Sequence, residues 1–343
     1  MSGRIWWRQS GTAAVTLAAA LATFCGSVRA QETAAPPKAR AVEGDDAPQA
    51  LPEERDTVVR VQIFLDENNH GPGKIDGKLG EFGKKAASVY NQIRGLPPGD
   101  YTNLIADAER AVTEPYAIYT VAEGDLKFVT PGLPAKPEQQ AKQKYMGYRS
   151  LLEMVAERFH TSEEFLQSLN GKNLYNLRAG SELQVPNVKP FRIEDLPKHR
   201  KFEKDEVLSR RAVVVDIAAR VAVFFDENNK PFASFPITPG KPKFIQFGEW
   251  KVTNMVTTPE FRWDKSMLEK GQRSEQAHQI PIGPNSPVGI VWTGTSRSGI
   301  GLHGTATPHS IGRSESAGCI RFANWDAVRL PDLIRPGARV VIR

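Results

Sequence analysis

The sequence predicts a multidomain α+β protein, with a mostly-β C-terminal domain preceded by small, largely helical modules. From Arg211 onward, β-branched and aromatic runs alternate with turn-forming residues, which is the pattern of short strands. Before that point, apolar residues recur at the three- and four-residue spacing of amphipathic helices. Stretches poor in large apolar side chains separate these regions, and 343 residues leave room for two or three modules.

The first 30 residues have the pattern of a cleaved signal peptide. Arg4 and Arg8 precede an apolar run from Ala13 to Cys25, and Val28-Arg29-Ala30 suits signal peptidase. The apolar run is shorter than the about 20 residues that span a bilayer, so cleavage is favoured over a retained membrane anchor. We therefore expect residues 1–30 to be removed and the mature chain, with no membrane span, to act in the periplasm.

Composition limits the partners of the mature chain. Residues 31–55 are rich in Ala, Pro, Glu and Asp and cannot bury enough apolar surface to fold, so we predict a disordered tether. The formal net charge is +6, and three arginines of the leader contribute to it, which leaves about +3. This charge is too small to indicate a nucleic-acid partner, and it fits weak attraction to an anionic polymer.

Residues 56–100 are predicted to form a small helical module. Apolar residues at helical spacing flank a glycine-rich turn at 71–80: Val61, Phe64, Leu65, Val89 and Ile93. Together with Gln62, the Asp76 to Gly80 motif and Ala86, the stretch resembles the peptidoglycan-binding domain type 1 family. The resemblance implies a wall-binding module, and a helical spacer without a ligand stays open as the alternative.

Residues 115–188 are predicted to form a second small module. Tyr119-Thr120-Val121 leads to Gly124-Asp125, two helical patterns follow around Leu152 and Phe165, and Ala179 to Pro186 describes a turn into a strand. The segment resembles a LysM domain, a strand-helix-helix-strand unit that in its family recognises N-acetylglucosamine-containing glycans. About twenty inserted residues, three of them prolines, separate Gly124-Asp125 from the first helix. A purely structural module therefore stays open.

Residues 189–209 are predicted to be a linker before the last domain. Pro190 and Pro197 interrupt the apolar patterns, and a dense charged run extends from Lys198 to Glu206. We expect this run to form a solvated linker helix rather than a binding patch.

Residues 210–343 are predicted to form a β-rich domain. Its strands are expected where β-branched and aromatic residues cluster: 212–217, 221–225, 232–238 and 339–342. Its later half holds Cys319, which is the only cysteine left after cleavage of the leader and therefore has no disulfide partner in its own chain. Cys319 follows His303 by sixteen residues, and a thiol within reach of an imidazole is a candidate nucleophile.

The chemistry of an acyl transfer assigns a role to each of these two residues. The ordinary pKa of a cysteine thiol is about 8.5, and a neighbouring imidazolium lowers this pKa enough to give a thiolate. We predict that Cys319 is the nucleophile and His303 its partner. An inert, buried thiol is the alternative for Cys319, but glycine and polar neighbours indicate a turn rather than a core strand.

Four neighbouring residues are candidates for supporting roles. Attack of the thiol on an amide carbonyl would build an oxyanion, and the N–H groups of Gly318 and Cys319 are predicted to hold this oxyanion. Gly304 is expected to let a main-chain carbonyl orient the imidazole. Arg321, on the same side of an extended strand as the thiol, is predicted either to bind a substrate carboxylate or to form a structural ion pair. Ser316 either donates a hydrogen bond in the site or caps a turn.

Five motifs of this domain, taken together and in order, resemble the L,D-transpeptidase catalytic (YkuD-like) family. They are Pro281 to Gly289, Trp292, Gly301 to Thr305, Ile311-Gly312 and Ser316 to Arg321. The family pairs His-Gly-Thr with Ser/Thr-His-Gly-Cys, followed two residues later by Arg or Asn. Ala317 stands where that second histidine is expected, so no role is carried over to this position. The resemblance implies a β-sandwich catalytic domain with Cys319 as nucleophile and His303 as base.

The resemblance also implies a substrate, peptidoglycan. Cys319 would attack the amide between the third, dibasic residue and D-Ala of a tetrapeptide stem and form a thioester, which an amine of a second stem resolves to a 3-to-3 cross-link. Other family acceptors are a wall-anchored lipoprotein, a D-amino acid, or water in an L,D-carboxypeptidase or endopeptidase. No metal or organic cofactor is expected. A non-catalytic wall-binding protein is the alternative from a different functional class.

Overall fold

The structure is a computed structural model that describes residues 54–171, 174–242, 244–316 and 318–343. The predicted signal peptide, 1–30, lies outside the described residues, as does the predicted tether, 31–55, apart from its last two residues. Ala317 also lies outside them. Within the described ranges, every helix is too short or too polar to cross a bilayer.

The N-terminal part of the described chain contains three helices: α1 (Arg55–Glu67), α2 (Glu81–Ile93) and α3 (Tyr101–Ala111). The first two confirm the predicted helices on either side of the glycine-rich turn. The third helix begins just after the predicted module boundary at residue 100. Asp100 accepts a hydrogen bond from Asn103 N at 3.2 Å and caps the N-terminus of α3.

Gln62 on α1 holds the glycine-rich turn in place. Its side chain is almost fully buried, and its Nε2 donates to Asp76 Oδ1 at 3.1 Å and to Lys78 O at 3.1 Å. Its Oε1 accepts from Gly77 N at 2.9 Å. A buried amide with both ends satisfied fixes the backbone around it, so the structure gives Gln62 a local structural role.

The central segment, residues 115–188, has one strand at each end and three α-helices between them, one more than the predicted strand-helix-helix-strand order. Its elements are β1 (Tyr116–Thr120), α4 (Pro137–Gln140), α5 (Leu151–Arg158), α6 (Glu163–Asn170) and β2 (Glu182–Pro186). The strands β1 and β2 pair antiparallel. Ser150 and Ser162 cap the two longer helices through their hydroxyls. The inserted residues contain α4, and just before α5 they meet the C-terminal domain, where Met146 N donates to Ile282 O at 2.9 Å.

The predicted helix in the linker, residues 189–209, is wrong. The charged run is extended there, and Lys201 forms an antiparallel bridge with Val256. Arg200 N donates to the Thr257 hydroxyl at 3.1 Å and Phe202 N to Met255 O at 3.2 Å. Pairing with an available strand edge satisfies these backbone groups, and it outweighs a weak helical propensity.

Among its described residues, the C-terminal domain contains ten strands and three short α-helices. The strands are β3 (Ala212–Asp216), β4 (Val221–Phe225), β5 (Pro231–Pro236), β6 (Gly248–Thr257), β7 (Phe261–Asp264), β8 (Ala277–Ile280), β9 (Val291–Thr295), β10 (Gly301–His303), β11 (Ile320–Arg321) and β12 (Arg339–Ile342). The helices are α7 (Lys265–Lys270), α8 (Asn324–Ala327) and α9 (Leu330–Leu333). All four predicted strands are present within one or two residues of their expected bounds.

The sequence predicts a β-sandwich for this domain, but eight of its strands form one continuous sheet. Their order is β11-β10-β9-β6-β12-β3-β4-β5, and β7 and β8 form a separate hairpin. The ten-residue strand β6 is the reason: its first half pairs with β12 and its second half with β9. The register shifts between Val252 and Asn254, where β6 passes from one partner to the other.

The N-terminal part protects the free edge of this sheet at β5. Ser234 N donates to Asn69 O at 2.9 Å, and Gly71 N donates to Ser234 O at 2.7 Å. The segment after α1 therefore continues the sheet by one short pairing, which removes an unpaired edge. A single apolar core includes buried residues of all three parts, among them Ile63, Leu152 and Phe235.

A buried charge cluster also joins the three parts. Asp66 of α1 is fully buried, and its Oδ1 lies 3.1 Å from His160 Nδ1. Arg329 donates to Asp66 O at 2.6 Å through Nη1 and to Asp66 Oδ1 through Nη2. The His160 ring stacks on Trp325, with ring centroids 5.6 Å apart. Burial by itself raises the pKa of Asp66, but the charges of Arg329 and His160 and their hydrogen bonds hold it well below its usual range.

Candidate active site

Three adjacent strands at one end of the sheet carry the motif residues. β10 pairs antiparallel with β9, which places His303 opposite Trp292, and parallel with β11, which places His303 opposite Arg321. Cys319 directly precedes β11, so the same register places it beside Gly301. Strand spacing and rise give a Cα separation of about 8 Å between Cys319 and His303. Residues two apart in a strand face the same side, so the thiol, the imidazole and the guanidinium share one face.

The Cys319 thiol is held by the turn that leads into β10. The side chain is half-buried, and its Sγ donates to Gly299 O at 3.6 Å. Burial raises the pKa of the thiol, while a hydrogen bond from the Gly301 N–H and the charge of Arg321 oppose that shift. The balance keeps the thiol protonated in the free protein.

The His303 side chain is held in one tautomer. Its Nδ1 lies 2.6 Å from Gly304 O, and because a carbonyl oxygen only accepts, Nδ1 carries the proton and Nε2 is left as the acceptor. The main-chain carbonyl that contacts the imidazole is therefore that of Gly304 itself. The ring is buried and stacks on Trp292, with centroids 5.5 Å apart.

Burial and the nearby Arg321 charge lower the pKa of His303 to about 3, although the bond to Gly304 O opposes them. With a protonated thiol and a neutral imidazole, the resting site differs from the thiolate–imidazolium pair that the sequence suggests. A neutral imidazole with a free Nε2 is able to accept a proton.

Alkylation of Cys319 by iodoacetamide should reveal this protonation state. An ordinary cysteine has a pKa of about 8.5, and only its thiolate reacts. Because the pKa of Cys319 is raised, we expect its alkylation rate to keep rising at pH values above the pKa of an ordinary cysteine. The measurement is the pseudo-first-order rate from about pH 5 to about pH 10, a range that brackets the ordinary thiol pKa, followed by intact-protein mass. A rate already constant between acidic and neutral pH would indicate a preformed ion pair and contradict this description.

The loop before Cys319 is organised by Ser316. Its hydroxyl donates to Cys319 O and accepts from Gly318 N at 3.2 Å, and the residue is almost fully buried. Of the two predicted roles for Ser316, the structure supports the turn-forming one. Gly318 has φ +127°, a conformation that favours glycine, and it packs directly against Gly240 of the neighbouring loop.

Arg321 lies next to the reacting pair with spare hydrogen-bonding capacity. Burial lowers its pKa, and its charge acts on both Cys319 and His303. Its Nε is buried and finds no hydrogen-bond partner among the described residues. The side chain therefore presents an unsatisfied cationic donor on the face that carries the thiol.

Sequence reasoning missed Asn324, which holds the loop after His303. Its Oδ1 accepts from Thr305 N at 3.2 Å, and the residue is fully buried. A Cβ on Gly304 or Gly289 would lie within about 2.2 Å of that oxygen, so both glycines are required for the close approach. The only sequence signal for Asn324 as a site residue was its position, three residues after Arg321.

In the described ranges, we find no group of three or more His, Cys, Asp or Glu side chains placed to hold a metal ion.

Comparison with known proteins gives the family of this domain. Residues 210–342 match the family model YkuD, the L,D-transpeptidase catalytic domain. The Bacillus subtilis protein YkuD, assigned as an L,D-transpeptidase, is 28% identical over 192 residues, which cover 56% of this chain and 92% of that protein. A second Bacillus subtilis protein with the same assignment, YqjB, is 32% identical over 128 residues, which cover 36% of this chain and 64% of that protein.

Among solved structures, L,D-transpeptidase 3 from Mycobacterium tuberculosis, in complex with a faropenem-derived adduct, is 13% identical. The similarity covers 49% of this chain and 76% of that chain, with a TM-score of 0.33. The family model covers the strands and loops that carry His303 and Cys319. Residues 210–342 are therefore a YkuD L,D-transpeptidase catalytic domain, and the chain that carries this domain is an L,D-transpeptidase enzyme.

Proposed function

We propose that Cys319 attacks the amide between the third residue and D-Ala of a peptidoglycan tetrapeptide stem. The sulfur forms a thioester with the carbonyl carbon of the third residue, the amide bond breaks, and D-Ala leaves as a free amine. The observation that carries this proposal is the placement of a half-buried thiol and a buried imidazole on one face of two adjacent strands.

His303 moves the proton in both halves of the reaction. Its Nδ1–H is committed to Gly304 O, so Nε2 takes the thiol proton as sulfur attacks and then gives it to the departing D-Ala nitrogen. In the second half, an amine attacks the thioester and gives a proton to Nε2, which returns it to the leaving sulfur. The products are a new amide and the original thiol, so atoms and charges balance.

The oxyanion formed in each half needs donors already in place. We propose that the N–H groups of Cys319 and Gly318 supply them. The Gly318 N–H is held at 3.2 Å by the Ser316 hydroxyl, which is a long bond between neutral groups. A charged oxygen competes well for such a donor, because charge-assisted hydrogen bonds are about twice as strong as neutral ones.

Arg321 is proposed to bind the carboxylate of the terminal D-Ala. Its buried Nε has an unused donor, and a guanidinium pairs with carboxylates through two parallel hydrogen bonds. This contact would place the scissile amide near Cys319. It would also explain specificity for a stem that ends in a free carboxylate.

We propose that the acceptor is the amine of a second stem, which gives a 3-to-3 cross-link, and that the enzyme acts in the periplasm after removal of residues 1–30. A lipoprotein amine, a D-amino acid and water remain acceptors of the same thioester. The N-terminal helices and the central segment, residues 115–188, are proposed to contact the wall, as their resemblances suggest.

The test incubates the mature protein with disaccharide-tetrapeptide and identifies the products by mass spectrometry. A dimer formed with loss of one D-Ala supports transpeptidation. A monomer that has lost D-Ala shows that water is the acceptor and makes the protein an L,D-carboxypeptidase. An unchanged substrate, in a protein that folds, contradicts both activities and favours a wall-binding role.

A further inference from the structure

A chain of buried hydrogen bonds connects the central segment to the catalytic histidine. Glu157 on α5 accepts at Oε1 from Asn324 Nδ2 at 3.0 Å and from Tyr148 OH at 2.9 Å. Asn324 Oδ1 accepts from Thr305 N at 3.2 Å. Glu157, Tyr148, Asn324 and Thr305 are all at least nine-tenths buried, so these bonds have little competition from water.

The far end of this chain is one peptide group. The bond between Gly304 and Thr305 carries both the N–H held by Asn324 and the carbonyl that accepts from His303 Nδ1 at 2.6 Å. A peptide group is planar, so fixing its N–H also fixes the direction of its carbonyl oxygen. The orientation and tautomer of His303 therefore depend on the position of Asn324.

Glu157 decides which way the Asn324 amide points. The Nδ2 group of Asn324 meets two acceptors, Glu157 Oε1 and Pro284 O at 3.2 Å, and this leaves Oδ1 toward Thr305. Without the Glu157 acceptor, a buried N–H would lose its partner, and rotation of the amide would set N–H against N–H at Thr305. Gly289 and Gly304 pack closely against Asn324 Oδ1, which restricts the movement of this side chain.

We propose that Glu157 is a positioning residue for His303, acting through Asn324 and the Gly304–Thr305 peptide group. The central segment is then a structural part of the active site, whatever else it binds. This inference rests on the proposed role of His303 as the base. It concerns a residue 146 positions earlier in the sequence than His303, in a segment outside the catalytic family match at 210–342.

The chain of hydrogen bonds requires an acceptor atom on the side chain of Glu157, and it does not require a negative charge there. Burial raises the pKa of Glu157 to about 8, although the bonds from Asn324 and Tyr148 oppose the shift. Both donors meet the same oxygen, and a carbonyl oxygen at that place is an acceptor in a carboxylate, a neutral acid or a primary amide. Glu157→Gln should therefore preserve the arrangement, whereas Glu157→Leu removes the acceptor at similar volume.

The first experiment measures steady-state D-Ala release by the full mature chain. We expect Glu157→Leu to lower kcat by about tenfold or more with an unchanged KM, because Glu157 touches no substrate, and Glu157→Gln to restore kcat to within about twofold of wild type. Tyr148→Phe is the matched control: it removes the other bond to Glu157 Oε1 and should leave kcat unchanged. Equal losses in Glu157→Leu and Glu157→Gln, or in Tyr148→Phe, would overturn the proposal.

The second experiment does not depend on the reaction. Hydrogen exchange of the Thr305 amide should be faster in Glu157→Leu than in wild type, while amides of β3 keep their protection. Retained protection at Thr305 would overturn the positioning role even if activity falls. If Glu157→Leu does not fold, Glu157→Asp, which withdraws the carboxyl by one methylene, must show the same local change. If the wild-type protein releases no D-Ala, the proposed function is contradicted. The hydrogen-exchange result still tests whether Glu157 positions His303.

Discussion

Replacement of Cys319 by alanine will lower the rate of D-Ala release from the tetrapeptide substrate by a factor on the order of 10³ or more. The thiol is the only group proposed to form a bond to the substrate, and the remaining donors stabilise only a charge that no longer develops. The check is the rate of D-Ala release by the purified variant and by wild type under the same conditions.

A folding control accompanies this variant. Cys319 is half-buried, and its thiol makes one long bond of 3.6 Å to Gly299 O, so alanine should change the free energy of unfolding by no more than about 1 kcal/mol. Cys319→Ser puts a hydroxyl in place of the thiol at similar shape. This variant should be nearly as inactive as Cys319→Ala, because a serine hydroxyl is a weak nucleophile at its ordinary pKa. D-Ala release within tenfold of wild type in either variant would exclude Cys319 as the nucleophile.

Replacement of Arg329 by methionine will cost about 3 to 5 kcal/mol of the free energy of unfolding at neutral pH. Arg329 bonds to both the main-chain oxygen and Oδ1 of the fully buried Asp66, so its loss leaves a buried carboxylate with much of its compensation removed. Denaturant unfolding of wild type and variant measures the difference. Since the cluster joins three parts of the chain, we expect all three parts to lose stability together.

The pH dependence separates this electrostatic cause from lost packing. Without Arg329, only His160 opposes the upward effect of burial on the pKa of Asp66. We expect this pKa to rise above its unfolded value, so that the variant loses stability as pH rises through and above about 4. The deficit should therefore be smaller near pH 4 than at pH 7. Asp66→Asn combined with Arg329→Met removes the stranded charge and should recover part of the loss. A deficit that is independent of pH and unchanged in the double variant would contradict the account.

Local sequence patterns predicted the parts of the site that lie within one motif. His303 ends β10, Cys319 directly precedes β11, and Gly304 supplies the carbonyl that His303 Nδ1 contacts. These features depend on neighbours in the sequence, which is why a motif contains them. Gln62, a residue of the peptidoglycan-binding resemblance, also bonds to a turn only fourteen residues away.

Contacts between distant segments could not be predicted in this way. Glu157 lies 167 residues before Asn324, and nothing in the helical pattern of α5 distinguishes it from a solvated glutamate. The linker from Lys198 to Glu206 favours a helix by composition, but the edge of β6 that β12 leaves free pairs with Lys201 and holds this part of the linker extended. The protonation state of the resting pair depends on burial and on the Arg321 charge, neither of which the motif reports.

The central claim is that the acyl group passes through a thioester on Cys319. The most direct measurement is the intact mass of the protein after a rapid acid quench of its reaction with tetrapeptide substrate, followed by peptide mapping of the modified residue. The account predicts an added mass equal to the substrate minus D-Ala, located on Cys319 and absent from Cys319→Ala. Release of D-Ala at the normal rate by the Cys319→Ala variant, or an acyl adduct on any other residue, would contradict it.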